Sequence, residues 1–412
     1  MAMLSAKVFQ KLFDSSALKQ PQFRLYFIAT AFSSLAVWMG RFMFGWLIWK
    51  QTESFFWVGI ISAALLVPTL FITPLFGVVT DRINLKKGLM LWLGCQSVVA
   101  FVAFLFYSLF QPSLISLLVI AFSFGCIASA GSPLRLSLIP RLVDKQVLPN
   151  AVGLGAMLFN SSRVLAPACA AALLTVLNAE MIFLIAALFF ATAVFFNAQL
   201  NDLPAAEREH QQSKLEDLIG GFRFAYRSSF ILLMLLMTLI NSQVGRALLE
   251  LLPALSGTFT SGDAHDLAVL TACSGAGSIL GAFFISKQQG DRQHLTGLIM
   301  MAMLLSALAL LPILLRPPVV LLAALVCLIS LLMTLIGTGA QISIQLSTPD
   351  DIRGRVMSIW IMIALGGPAV GAFFMGAVAE FLGFNWMLLI MIALSSFGAV
   401  WLYVQRKSLT TS

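Results

Sequence analysis

Charge is scarce in this chain. Only 10% of its 412 residues are Asp, Glu, Lys or Arg, where a soluble domain of ordinary composition carries about 25%. That shortage excludes an ordinary water-soluble fold. Long polar stretches are missing as well: the longest between apolar runs is 201–228, too short for a sizeable soluble domain. Cysteine is present five times, as Cys95, Cys126, Cys169, Cys273 and Cys327, all within apolar runs and never as CxxC. A disulfide framework and a zinc site are therefore disfavoured. His210, His265 and His294 are isolated in or beside loops and suggest no metal centre. The chain has no nucleotide-binding P-loop, nucleophile elbow or metal-ligand cluster, so the sequence reads as no enzyme and as no direct user of ATP unless a separate subunit supplies it. The formal charge of +8 is scattered over short loops, which argues against a nucleic-acid surface.

What fills the chain instead is apolar sequence, 60% of all residues. It falls into twelve runs, roughly 25–49, 55–80, 88–110, 113–139, 151–178, 181–200, 229–255, 266–286, 295–315, 319–346, 356–380 and 385–404. A helix needs about 20 apolar residues to cross the hydrocarbon core. Membrane strands would alternate apolar and polar residues over about 10 positions, and these runs do not. The expectation is an all-α integral membrane protein with twelve spans. Basic residues mark the cytoplasmic loops. Arg82, Lys86 and Lys87 follow span 2, Arg141 and Lys145 follow span 4, and Arg208, Lys214, Arg223 and Arg227 follow span 6. The opposite loops hold little beyond Lys50 and Arg316. Both termini are expected in the cytoplasm. The long first run behind Lys7, Lys11 and Lys19 does not read as a cleavable signal peptide.

The stretch 201–228 divides the spans six and six, giving expected boundaries of 1–200, a cytoplasmic linker 201–228, and 229–412. Within the linker, 210–227 reads as an amphipathic surface helix, with a plain connection as the alternative. The halves echo one another. Gly40-Arg41 matches Gly245-Arg246 at a shift of 205, Gly77 matches Gly281 at 204, and Pro167 matches Pro368 at 201. Near-constant offsets predict a duplicated six-helix unit, a plan known among transporters.

Between spans 2 and 3 stands GVVTDRINLKKG. It resembles the G-x-x-x-D-R-x-G-R-[RK] signature of the major facilitator superfamily, with Gly77, Asp81, Arg82, Lys86 and Lys87 in the corresponding places and Asn84 where the family usually has Gly. FRLYFIATAFSSLAVWMGRFMFGWLIW, SPLRLSLIPRLVDKQVLPNAVGLGAMLFNSSRVLAPA and TPDDIRGRVMSIW are similar to stretches of the subgroup that contains enterobactin exporters and related efflux proteins. The resemblance implies two pseudo-symmetric six-helix bundles that rock about a central site, a monomer, and an inner gate built from Gly77, Asp81, Arg82, Lys86 and Lys87. Span 5 of proton-coupled antiporters often carries G-P-x-x-G-G. Here it reads Ala166-Pro167-Ala168-Cys169-Ala170-Ala171, a departure that weakens antiport as a conclusion from this motif.

Charge at mid-bilayer costs at least ~2.5 kcal/mol, so such residues face a cavity or a partner. Four fall well inside spans: Arg41, Arg163, Arg246 and Glu250. Their sum, +2, favours an anionic or zwitterionic substrate. The resemblance places spans 1 and 7 at the cavity, with Arg41 and Arg246 facing one another. Trp38, Asn241, Gln243 and Gln341 are expected to complete the site, with bonding between helices as the alternative for the polar residues. For the charges, the alternatives are an Arg246–Glu250 pair that only holds the fold, an Arg41 that snorkels, and an Arg163 that bonds backbone near Pro167. Glu250 is the candidate for proton coupling. Trp46, Trp49 and Trp57 read mainly as interface anchors.

The resulting expectation is a secondary transporter in the bacterial inner membrane. It would export an amphipathic, anionic small molecule, siderophore-like or drug-like, by proton-coupled alternating access. Its partners would be that substrate and membrane lipids, with no nucleic acid and no cofactor beyond the proton gradient. The alternatives are siderophore uptake or lysophospholipid flipping on the same fold, and, in another class, a receptor or scaffold without transport.

Overall fold

The computed structural model describes residues 17–80, 83–110, 113–144, 146–202, 214–260, 262–286 and 292–409. These residues are almost wholly helical and contain no strand. Twelve helices are long and apolar enough to cross a membrane: Pro21–Thr52, Phe55–Thr73, Leu85–Leu109, Leu114–Leu142, Asn150–Leu174, Ala179–Ala198, Ser229–Glu250, Ala264–Ser286, Gln293–Leu315, Val319–Ser347, Ile352–Phe381 and Phe384–Gln405. They are spans 1 to 12. Each coincides with an apolar run, because only a structure that satisfies its own backbone hydrogen bonds survives in lipid. Large exposed apolar side chains such as Leu91, Phe195, Phe283 and Phe397 are what a surface solvated by hydrocarbon carries.

By proximity the chain forms two compact units. One gathers the residues up to Phe44 with Phe71–Glu207, the other Gly45–Leu70 with Arg208–Ser412. In the first, span 3 packs along span 6; in the second, span 9 packs along span 12. The third and sixth helices of each half thus repeat one arrangement. The Gly-Arg pairs repeat as well. A Cβ on Gly40 would lie 2.9 Å from the Phe124 ring on span 4, and one on Gly245 would run into Met333 on span 10. Both glycines admit the fourth helix of their own half.

Spans 8 and 10 show why small residues matter where no hydrophobic effect presses helices together. Gly277 and Gly281 lie four apart on one face. A Cβ at Gly277 would enter the Cys327 carbonyl oxygen, and one at Gly281 would sit 2.6 Å from the Leu331 oxygen. Ser330 donates to Ser274 across the same seam at 2.8 Å. Pro167 and Pro368 each lie inside a helix that continues past them. Within the linker, Lys214–Arg227 is helical; residues 203–213, with His210 and the expected start of that helix, lie outside those described. Of the expected anchors, Trp49 differs: it is buried, and its indole covers Gly257 in the space a Cβ would take.

Candidate substrate site

Trp38 and Arg41 are three residues apart on span 1, which brings them to one helix face. The Arg41 guanidinium lies over the indole, 4.8 Å from its centroid. Arg163, near the middle of span 5, reaches the same ring at 5.7 Å. Both fall inside the ~6 Å range of a cation–π contact. Phe159, one turn before Arg163, meets the indole edge-on at 5.6 Å. The Trp38 Nε1 is buried and has no hydrogen-bond partner among the described residues. Two positive groups therefore share one electron-rich surface. The ring offsets part of their repulsion, and an anion between or beside them would offset more.

In the second unit, span 7 is not a plain α-helix. Ser229–Asn241 is α, Ser242–Arg246 forms a π turn, Ala247–Glu250 returns to α, and the backbone breaks at Leu251 before Leu252–Phe259. Polar side chains hold this segment to its neighbours. Asn241 donates to the Met333 oxygen at 3.2 Å, Ser242 to the Ile363 oxygen at 3.2 Å and Gln243 to the Gly367 oxygen at 3.1 Å. π turns are frequent at functional sites. Asn241 and Gln243 thus spend amide N–H groups between helices, while the buried Asn241 Oδ1 has no partner among the described residues. Arg246 leaves the end of the π turn and packs beside span 10, where a Cβ on Gly337 would lie 3.6 Å from its Nη2 and 3.3 Å from Asn241 Nδ2. Glu250 is near enough to act electrostatically on Arg246, and its backbone oxygen accepts from Ser62 Oγ at 3.3 Å. Gln341 is half-buried on span 10.

Of the expected gate residues, Asp81 and Arg82 lie outside those described, as does the side-chain environment of Gly77. Lys86 is half-buried and Lys87 exposed, both in the first turn of the Leu85–Leu109 helix. Asn84 caps that helix: its Oδ1 accepts the Lys87 backbone N–H at 3.1 Å. This gives a physical reason for Asn where the motif usually has Gly, since Asn is among the best N-caps. No group of three His, Cys, Asp or Glu side chains suited to a metal ion occurs among the described residues.

One charge inside the membrane region escaped the reading of the sequence. Arg135 belongs to span 4, beyond a turn at Ser129-Ala130 and near the end of the apolar run 113–139. The π turn was equally invisible, because SQVGR holds no proline and a single glycine is tolerated inside a helix.

The comparisons with known proteins agree with this fold. The model of the transmembrane secretion effector family, a branch of the major facilitator superfamily, matches residues 14–409. The staphyloferrin A transporter of Staphylococcus aureus (strain NCTC 8325 / PS 47) is 24% identical over 368 residues, covering 87% of this chain and 90% of its own. The enterobactin exporter EntS of Escherichia coli O1:K1 / APEC is 26% identical over 383 residues, covering 89% and 88%. Among solved structures, the nucleoside transporter NupG aligns over 94% of this chain and 98% of its own, with a TM-score of 0.68 and 14% identity. A bacterial homolog of the human lysosomal transporter Spinster aligns over 94% of both chains, with a TM-score of 0.65 and 15% identity; at such identities the two structures speak for the fold alone. Twelve spans, a repeated six-helix plan and a family match over nearly the whole length make this chain a multi-pass membrane transporter of the major facilitator superfamily, and it belongs to the transmembrane secretion effector family.

Proposed function

We propose that the protein exports a carboxylate-bearing, amphipathic small molecule across the bacterial inner membrane, by alternating access driven by the proton gradient. The observation that carries this reading is the pair of guanidinium groups, Arg41 and Arg163, on the Trp38 ring. Guanidinium forks match carboxylates bidentately, and the adjoining indole and Phe159 ring offer apolar surface to the rest of the molecule. A cationic drug would meet repulsion there. That two relatives are named for siderophores supports a siderophore-like substrate. Glu250 is the proton carrier in this reading: a carboxylate within reach of Arg246 gains or loses a proton as that guanidinium is engaged or released. The basic loops support cytoplasmic termini, which makes the Pro21 end of span 1 the inner end.

The test is transport in proteoliposomes with an imposed pH gradient, screening siderophore-type carboxylates and catecholates beside cationic dyes. Arg41→Gln and Arg163→Gln should each weaken binding of the transported anion by about 1.5 kcal/mol or more, a factor of ten or more. Preference for cationic dyes, or anion affinities untouched by both substitutions, would defeat the proposal.

A further inference from the structure

Arg135 sits in a cradle that the Arg41–Arg163 site does not use. Its guanidinium stacks on Trp92 of span 3, 5.0 Å from the ring centroid. Its Nη2 donates to Ser33 Oγ of span 1 at 3.1 Å, and Ser33 is itself fixed by donating to the Thr30 oxygen at 3.2 Å. Trp92 is immobilised in turn: its Nε1 donates to the Ile127 oxygen at 2.8 Å, and it fills the space beside Gly131 that a Cβ would occupy. Ser33, Trp92 and Tyr26 are all buried, and Tyr26 lies within electrostatic reach of the guanidinium. Arg135 itself stays partly exposed.

Among the described residues the charge balance of this cradle is incomplete. Among the described residues no carboxylate pairs with Arg135, and a single hydroxyl takes one of its five N–H donors. A cation about 10 Å inside the end of span 4, by the helical rise from Leu142, calls for an anionic partner. Its position matters too. Ser33 precedes Arg41 by eight residues on the continuous helix Pro21–Thr52, which separates the two sites by about 12 Å along span 1. Each site has the same make-up, arginine over tryptophan.

We propose that Arg135, held by Trp92 and Ser33, is a second binding station for the carboxylate of the transported molecule, one that takes the anion at the inner end before the Arg41–Trp38–Arg163 cluster receives it. The inference rests on the substrate class proposed above. The remaining guanidinium N–H groups donate to the carboxylate oxygens in fork geometry, and the locked indole keeps the fork aimed. No covalent step is involved.

Equilibrium binding to the full-length protein in detergent tests it, with citrate and 2,3-dihydroxybenzoate as the probes. The wild type should bind two probe anions per chain. Arg135→Gln should bind one, with the inner event weakened at least tenfold, and Arg135→Lys should recover part of it, which a variant that merely misfolds would not. The double variant Arg41→Gln/Arg163→Gln should keep the Arg135 event. One anion per wild-type chain, or an Arg135→Gln protein that binds as the wild type does, overturns the station. Loss of both events in the double variant makes Arg135 a bystander of a single site and overturns it as well, while leaving the first proposal standing. Two events that ignore Arg41 and Arg163 but lose one with Arg135→Gln would sink the first proposal and leave the station. No saturable binding of either probe would sink both.

Discussion

Gly277→Ala is the sharpest probe of how the second unit is held together. The added Cβ would enter the Cys327 carbonyl oxygen, with the Cys327 carbonyl carbon at 2.8 Å and the Ser330 Cβ at 3.0 Å. Two of these three atoms are backbone, so no rotamer change relieves the clash; span 10 must move as a body. Overpacking of this kind costs about 1–3 kcal/mol. The substitution also removes a helical glycine, which returns at most about 1 kcal/mol. Gly153→Ala is the control, since a Cβ there meets nothing within 4 Å and only the propensity gain applies. The two variants should differ by about 2 kcal/mol, close to a thirtyfold difference in the folding equilibrium. Denaturation in mixed micelles of rising sodium dodecyl sulfate, followed by tryptophan fluorescence, measures that gap. If Gly277→Ala unfolds at the same detergent fraction as Gly153→Ala, close backbone approach is not what sets the span 8–span 10 seam. A larger side chain should act in the same direction and more strongly, as should Gly281→Leu, whose Cβ begins 2.6 Å from the Leu331 oxygen.

Two further outcomes follow from the site and its surroundings. Asn84→Ala removes the side chain that accepts the Lys87 N–H and should destabilise the start of span 3 by about 1 kcal/mol, while Asn84→Ser should restore most of it; hydrogen exchange of the first helical turn reads the difference. Glu250→Gln keeps the shape of the side chain and removes its charge. It should abolish the dependence of transport on an imposed pH gradient while sparing substrate binding, and wild-type gradient-driven rates in that variant would remove Glu250 from the mechanism.

The spans were legible because lipid permits so little else. An apolar run of the right length in a chain with few charges has essentially one structure open to it. The repeat was legible for a related reason: Gly40-Arg41 and Gly245-Arg246 are short strings, but each glycine answers the same demand, close approach of the fourth helix of its own half. Arg41 and Arg163 stood out because an arginine well inside an apolar run must find a cavity, a partner or a way to the interface. Their meeting on Trp38 did not, since it joins residues more than a hundred positions apart. Arg135 was passed over near the end of an apolar run, because its partners Trp92 and Ser33 lie 43 and 102 positions away in sequence. Asn84 looked like a flaw in a motif until its bond to the Lys87 N–H supplied a use. Asn241 and Gln243 could be named as polar residues in a membrane, but their partners, carbonyls on spans 10 and 11, are set by packing that sequence does not encode locally.

The π turn at Ser242–Arg246 also bears on how the two copies should be compared. A π turn spends one more residue on a circuit than an α turn does, whereas the partner helix Pro21–Thr52 is α from end to end. The second copy therefore carries a surplus residue within its opening helix. Superimposing the halves by sequence requires a one-residue gap inside a membrane span, where alignments ordinarily forbid one. Without that gap, every position on one side of the turn is matched to the wrong face of its counterpart, and an inheritance shared by the halves would go unrecognised.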